Sequence, residues 1–322
     1  MTNFLSSSPS TWPSGAPILV RRTEGPILKG TDFPAAARIQ RVFNSGVIKC
    51  DGRYVMACRV EDRALRNSIW IADSSDGIRF IPRPTPVALP DSDPAFAEYT
   101  TGMVYDPRIT RIDNTFYLMH AAHSRHGCRL SLLSTLDFDA FQWLGFISET
   151  DNRNGVLFPE KIGGLYARFD RPNTDGNFGD IWISYSPDLI FWGKSQCVLR
   201  NSQVRWAWTK IGPGAVPIRT PQGWLNVFHG VRTQCKQHYV YCLGVALHDL
   251  EDPARVIALC SEAILEPEKD YELMGQTPSV VFTSGAVEEE DGSVKVYYGG
   301  ADTVQCVATT SIDALLHACR HL

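Results

Sequence analysis

Four basic residues stand out in a chain that is acidic overall: Arg153, Arg168, Arg171 and Lys210. All four fall in segments read as loops beside a shared channel. Guanidinium groups grip an oxyanion in bidentate fashion and an ammonium serves it as a point charge. Such a set suits phosphate as a nucleophile, with a carboxyl group supplying a proton to the oxygen that leaves. The competing reading pairs the same cations with Glu160, Asp170 and Asp180 as structural salt bridges. A second set follows aromatic, strand-like runs: Arg59 with Glu61, His120 with His123, Arg168 with Asp170 and Arg171, His229, and Asp302. Five charged or imidazole positions at corresponding places imply a convergent polar site. Asp106 lies in Tyr105-Asp106-Pro107-Arg108, where proline forces a constrained turn or extended backbone. Taken alone, that Asp-Pro step reads as structural.

The elements that must position these groups follow from an internal repeat. Turn residues leading into aromatic strands occur at Asp51-Gly52, Asn114, Gly163-Gly164, Gln222-Gly223 and Asp291-Gly292. A second marker is a strand that ends in a polar turn, with an aromatic residue four positions beyond an aspartate. It reads Asp76 to Phe80, Asp139 to Trp143 and Asp188 to Trp192. The first three turns, at Gly52, Asn114 and Gly164, are 62 and 50 residues apart, and the three aspartates 63 and 49. Two markers advancing in step give a period of roughly 50 to 70 residues, room for about four strands and hence one propeller blade. The expectation is an all-β fold, a five-bladed β-propeller over residues 16–322, after a flexible segment at 1–15. An irregular β-sandwich is the alternative. A short C-terminal helix is expected from Ser311 to Leu322, with Ser311 as its cap. Phe43-Asn44-Ser45-Gly46, Asp151 to Gly155 and Trp208 to Gly214 have the mixture of small and polar residues expected of binding segments on a rigid scaffold.

Composition excludes several function classes. The chain has 322 residues and a formal net charge of −4, which argues against nucleic acid or an anionic membrane as partner. No apolar run reaches the roughly 18 residues needed to span a bilayer, and no secretory signal is read. Nine cysteines without a Cys-x-x-Cys pair suggest free thiols in a reducing, cytoplasmic setting. No metal-ligand spacing and no glycine-rich nucleotide loop is present, so neither a metal nor an organic cofactor is expected.

In this order, several segments resemble glycoside hydrolase family 130, the β-mannoside phosphorylases. They are Tyr105-Asp106-Pro107-Arg108-Ile109-Thr110, Val156 to Ile162, Lys210-Ile211-Gly212-Pro213-Gly214, Gly223-Trp224-Leu225 with Phe228-His229-Gly230-Val231, and Tyr297 to Thr303. The match runs from about Phe43 to Asp302. It implies a five-bladed propeller and an inverting reaction, in which inorganic phosphate as co-substrate releases α-mannose 1-phosphate from a β-linked mannoside. Asp106 would be the catalytic acid, acting through a sugar hydroxyl. Arg153, Arg171, Lys210, His229 and Tyr241 would contact phosphate, with Arg168 an alternative to Arg171. Asn44, Ser45, Arg59, Asn154 and Asp302 would contact mannose. The resemblance leaves open β-1,2 or β-1,4 linkage, the direction of the reaction, a hydrolase or mannosyltransferase on the same fold, and self-association. A sugar-binding propeller without catalysis is the reading from another class.

Overall fold

The computed structural model describes residues 16–101, 103–173, 179–235 and 238–321. The flexible stretch expected at 1–15 lies outside them. Five antiparallel sheets follow one another along the chain. Their innermost strands are Ile39–Cys50, Met103–Ile112, Asn152–Leu157, Lys210–Pro213 and Val281–Glu288. Numbered by these strands, blades one, two, three and five have four strands each, and blade four has six. All five turns read from the sequence lie at the tips of blade hairpins. The fold is the five-bladed propeller.

Each blade is sandwiched between two others, so both faces of its middle strands are buried. Gly223–Thr233 is accordingly buried over its first nine residues instead of alternating. The apolar cores lie between blades. Val60, Trp70 and Tyr297 join blades one and five; Val55, Ile71 and Leu118 join one and two; Met119, Leu130 and Leu157 join two and three. The largest core runs from Phe169 through Trp224 to Val281 and Tyr298. Fully burying one such side chain contributes about 1.5–3 kcal/mol.

The repeated polar turn has a common chemistry. Ser74, Thr135 and Ser186 accept through Oγ from the backbone N–H three residues on, and Asp76, Asp137 and Asp188 accept through Oδ1 from the next two amides. Asp137, not Asp139, is therefore the equivalent aspartate in blade two. The turn holds two aspartates, and only the one two residues after the hydroxyl can reach both amides.

The ring closes through its termini. Val20–Arg21 pairs with Ala308 and Thr309 as the outer strand of blade five. Arg21 Nε and Nη2 donate to Glu272 at 2.8 and 3.0 Å, and the Tyr298 hydroxyl donates to the same carboxylate at 2.8 Å. The C-terminal helix spans Ile312–Ala318, with Ser311 Oγ accepting from Ala314 N at 3.1 Å. It ends earlier than expected, because Cys319–His321 pairs along the open edge of Val256–Cys260 in blade four.

Candidate active site

Three of the five innermost strands carry the same irregularity near the axis. Their pairing slips between Phe43 and Gly46, between Tyr105 and Arg108, and between Arg153 and Val156. Inside each slip sits a polar residue with a left-handed backbone: Asn44 at φ 50°, Asp106 at 53° and Asn154 at 58°. A bulge of this kind re-aims a side chain that regular alternation would send elsewhere. Asn and Asp tolerate the conformation better than other residues with a Cβ, at a cost of roughly 1–3 kcal/mol each. Pro107 fits because a bulge leaves its missing N–H without consequence.

Asp106 is 6% exposed. Its Oδ1 accepts from Arg59 Nη1 at 2.8 Å and from Asn44 Nδ2 at 3.0 Å. Arg59 is held in turn by Asn67 Oδ1 at 3.2 Å and lies over the rings of Phe43 and Tyr105, at 4.3 and 5.0 Å. Asp302, beyond the second strand of blade five, interacts with Arg59, Asn44 and Asp106. Loss of hydration raises its carboxyl, Arg59 opposes that shift and Asp106 adds to it. Ser45 lies beneath this group with its hydroxyl turned to the Phe43 carbonyl at 3.4 Å, and its N–H donates to Gln305 Oε1 at 3.2 Å. It supports the bulge from inside.

Sequence reasoning missed Arg108, which is 1% exposed. It donates to three main-chain carbonyls: Asp106 at 2.9 Å, Gly214 at 2.8 Å and Pro213 at 3.1 Å. The side chain thus ties the backbone of Asp106 to the innermost strand of blade four. Its place two residues after Asp106 was the only available signal.

The cations assemble between blades three and four, on strands and not in the expected loops. Arg153 and Lys210 sit on innermost strands, and Arg171 lies opposite Arg153 on the second strand of blade three. Arg171 Nη1 donates to His229 Nε2 at 3.1 Å. Guanidinium can only donate, so Nε2 is unprotonated and the imidazole proton sits on Nδ1. Burial, followed by Arg171, Arg108 and Lys210, holds His229 far below its ordinary value, so the ring is neutral. Burial and Arg153 draw Arg171 down to about 10. Burial, Arg171 and Arg153 draw Lys210 down to about 7. Tyr241 closes the cluster: its ring lies 6.4 Å from that of His229, Lys210 Nζ is 5.8 Å from its centre, and burial pushes its hydroxyl up to about 12.

Two glycines make this crowding feasible. A Cβ on Gly212 would lie 2.6 Å from His229 Cε1, and one on Gly179 would lie 2.7 Å from Arg171 Cδ. The Arg171 side chain runs through the slot that they leave. Arg153 Nη2 donates to both oxygens of Asp151, at 3.0 and 2.8 Å. Arg153 Nε, Arg171 Nε and His229 Nδ1 are buried and have no hydrogen-bond partner among the described residues. The Pro213 carbonyl interacts with His229 in a geometry short of a full bond. Buried donors in that condition are costly unless something accepts from them.

Several sequence candidates lie elsewhere. Arg168 faces away from the cluster: its Nε donates to Asp170 Oδ2 at 2.8 Å and its guanidinium covers Trp192 at 4.3 Å. His120 is buried beside Phe96, bonded through Nδ1 to the Ala121 carbonyl at 3.2 Å, and burial draws it down to about 4. Glu61 is paired with Arg41 and accepts from Gln276 at 3.2 Å. Among the described residues no group of three or more His, Cys, Asp or Glu side chains could hold a metal ion. No described helix is long and apolar enough to cross a membrane.

A carboxyl group held by one arginine thus stands beside a chamber of cations, which is the arrangement that proton delivery opposite an anionic nucleophile needs. Comparison with known proteins agrees with this reading. A family model described as beta-1,4-mannooligosaccharide phosphorylase matches residues 17–321. The beta-1,4-mannooligosaccharide phosphorylase of Ruminococcus albus is 32% identical over 303 residues, covering 92% of this chain and 89% of that protein. The beta-1,2-mannobiose phosphorylase of Listeria innocua is 37% identical over 251 residues, covering 77% and 68%. A solved structure of the beta-1,2-mannobiose phosphorylase from Listeria innocua, in complex with beta-1,2-mannobiose, superposes with a TM-score of 0.83 at 29% identity, covering 93% of this chain and 98% of that one. With its ring of five blades and its bulge-borne acid, the chain belongs to glycoside hydrolase family 130.

Proposed function

We propose that the chain catalyses inverting phosphorolysis of β-mannosides, using inorganic phosphate and releasing α-mannose 1-phosphate. The observation that carries this reading is the set of buried donors on Arg153, Arg171 and His229, without partners among the described residues, beside Lys210. Water as nucleophile needs no such set; phosphate accepts from all of it. Phosphate held by Arg153, Arg171, Lys210, His229 and Tyr241 would attack the anomeric carbon of a mannosyl unit placed by Asn44, Arg59, Asn154 and Asp302, with Ser45 behind them. The bond to the leaving oxygen breaks as that oxygen gains a proton.

Both bonds from Arg59 and Asn44 fall on Asp106 Oδ1. The proton to be delivered therefore belongs on Oδ2, and passes through a mannosyl hydroxyl to the leaving oxygen. Asp106 is left as a carboxylate with Arg59 already in place to neutralise it. Phosphate arrives anionic, so no second carboxylate is needed as a base. The same groups serve the reverse reaction, in which mannose 1-phosphate extends an acceptor. No organic cofactor enters this scheme. Six of the nine cysteines are buried and all nine are free thiols, which supports a cytoplasmic setting.

Incubation with β-1,2- and with β-1,4-mannobiose, each with and without phosphate, tests the proposal and separates the linkages. Mannose 1-phosphate should form from one of them only when phosphate is present. Free mannose released at an equal rate without phosphate would replace phosphorolysis by hydrolysis.

A further inference from the structure

A cavity of about 480 Å³ opens between blades two and three, on the far side of the strand that carries Arg153. That volume falls in the range of small-molecule sites, about 300–1,000 Å³. Its lining comes from the face of blade three that points away from the cations, where Arg168 pairs with Ser184 and Asp170 with Trp182 across the sheet. Three aromatic side chains, Trp182, Phe191 and Trp192, form one wall. Phe191 is 75% exposed, although large aromatic residues are ordinarily withdrawn from water.

The polar floor is incomplete. Asp170 is 1% exposed, and only its Oδ2 is bonded, to Arg168. Asp170 Oδ1 and Asn152 Oδ1 are buried without a hydrogen-bond partner among the described residues, although the Asn152 amide interacts with the Asp170 carboxylate. Both orphaned atoms are acceptors, so the missing partner must bring donors. Three carboxylates, Glu149, Asp151 and Asp170, line the cavity against two guanidiniums, Arg129 and Arg168. This balance disfavours an anion. A ligand with neutral hydroxyl donors on one side and C–H faces for aromatic stacking on the other is a saccharide.

We infer that this cavity is an accessory saccharide site, separate from the reacting centre and backed onto it through Asp151, Asn152 and Arg153. The identity of the sugar as a manno-oligosaccharide rests on the proposed phosphorolysis; the existence of the site does not. Asp151 lines the cavity while its carboxylate grips Arg153, so the two sites share a wall one strand thick.

The test is calorimetric titration of the full chain with β-1,2- and β-1,4-mannobiose in phosphate-free buffer. Two sugars per chain are expected in the wild type. Ser195→Trp, a change at the exposed rim, should leave one, with kcat for phosphorolysis unchanged. Phe191→Ala removes an exposed ring without opening the core, and should weaken only the second site, by about tenfold. One sugar per chain in the wild type, or two that persist unweakened in both variants, would overturn the inference. If two sugars bind and Ser195→Trp removes one while no mannoside is phosphorolysed, the accessory site stands and the proposed reaction fails.

Discussion

The two halves of the centre are built on opposite plans. On the side of blades one, two and five, Asp106 meets Arg59 and Asn44, and Arg108 donates to three carbonyls. On the side of blades three and four, Arg153, Arg171 and Lys210 crowd a neutral histidine; Arg153 is bonded to Asp151, and Arg153 Nε, Arg171 Nε and His229 Nδ1 lack acceptors among the described residues. The first half has its carboxylate paired before any ligand arrives, although Asn44 Oδ1 has no partner among the described residues. The second holds like charges close together, a repulsion that the proposed phosphate would relieve. Cations that depress one another's proton affinity form a site whose affinity is prepaid by the fold.

The contrast is broken most severely by Asp106→Asn. Proton delivery disappears, and kcat should fall by about 10³-fold. Asparagine keeps an oxygen for Arg59, so the melting temperature should move by only a few degrees. A melt that collapses together with activity would make Asp106 structural. Arg171→Met comes next. The loss of charge-assisted bonds should raise KM for phosphate about 10- to 100-fold. Because Arg171 is buried among other cations, its phosphate-free melting temperature should hold or rise, whereas Arg59→Met should lose about 2 kcal/mol by leaving the Asp106 carboxylate with Asn44 alone. Equal destabilisation by the two changes would erase the distinction drawn here.

The smallest effect is one of pH. Burial, Arg171 and Arg153 hold Lys210 at about 7, and a bound oxyanion would raise that value. Binding is strongest while the ammonium is charged, so affinity falls as pH climbs above 7. Sulfate does not titrate in this range and isolates the lysine; its competition against phosphate should weaken about tenfold per pH unit above 7. A flat profile would show that Lys210 stays charged in the free site.

The blades were legible because their turns are local chemistry. Asp76 and Asp188 are bound by residues within three positions, so spacing alone revealed them. Asp139 misled because two aspartates share one turn and only a hydroxyl partner distinguishes them. Arg168 and Arg171 were separable in principle: Arg171 continues the face of Ala167 and Phe169, which is apolar and turned to blade four. The bulges at Asn44, Asp106 and Asn154 were not visible, since a slip in register belongs to a pair of strands. Nor were the slot between Gly179 and Gly212 and the Pro213 and Gly214 carbonyls on Arg108, which join segments distant in sequence.

Ring closure has a consequence for how activity first arises. The side proposed to face mannose spans the seam of the propeller: Asn44 and Arg59 stand on blade one, Asp302 follows a strand of blade five, and Gln305 holds the Ser45 amide. A chain emerging from the ribosome carries Asp106 and all the basic groups long before residue 302 exists. Nascent protein can thus hold Asp106 and the assembled cation cluster while the proposed sugar pocket is still half-built. Catalytic competence should appear in a single late step, when blade five docks and the ends of the chain are pinned to neighbouring blades.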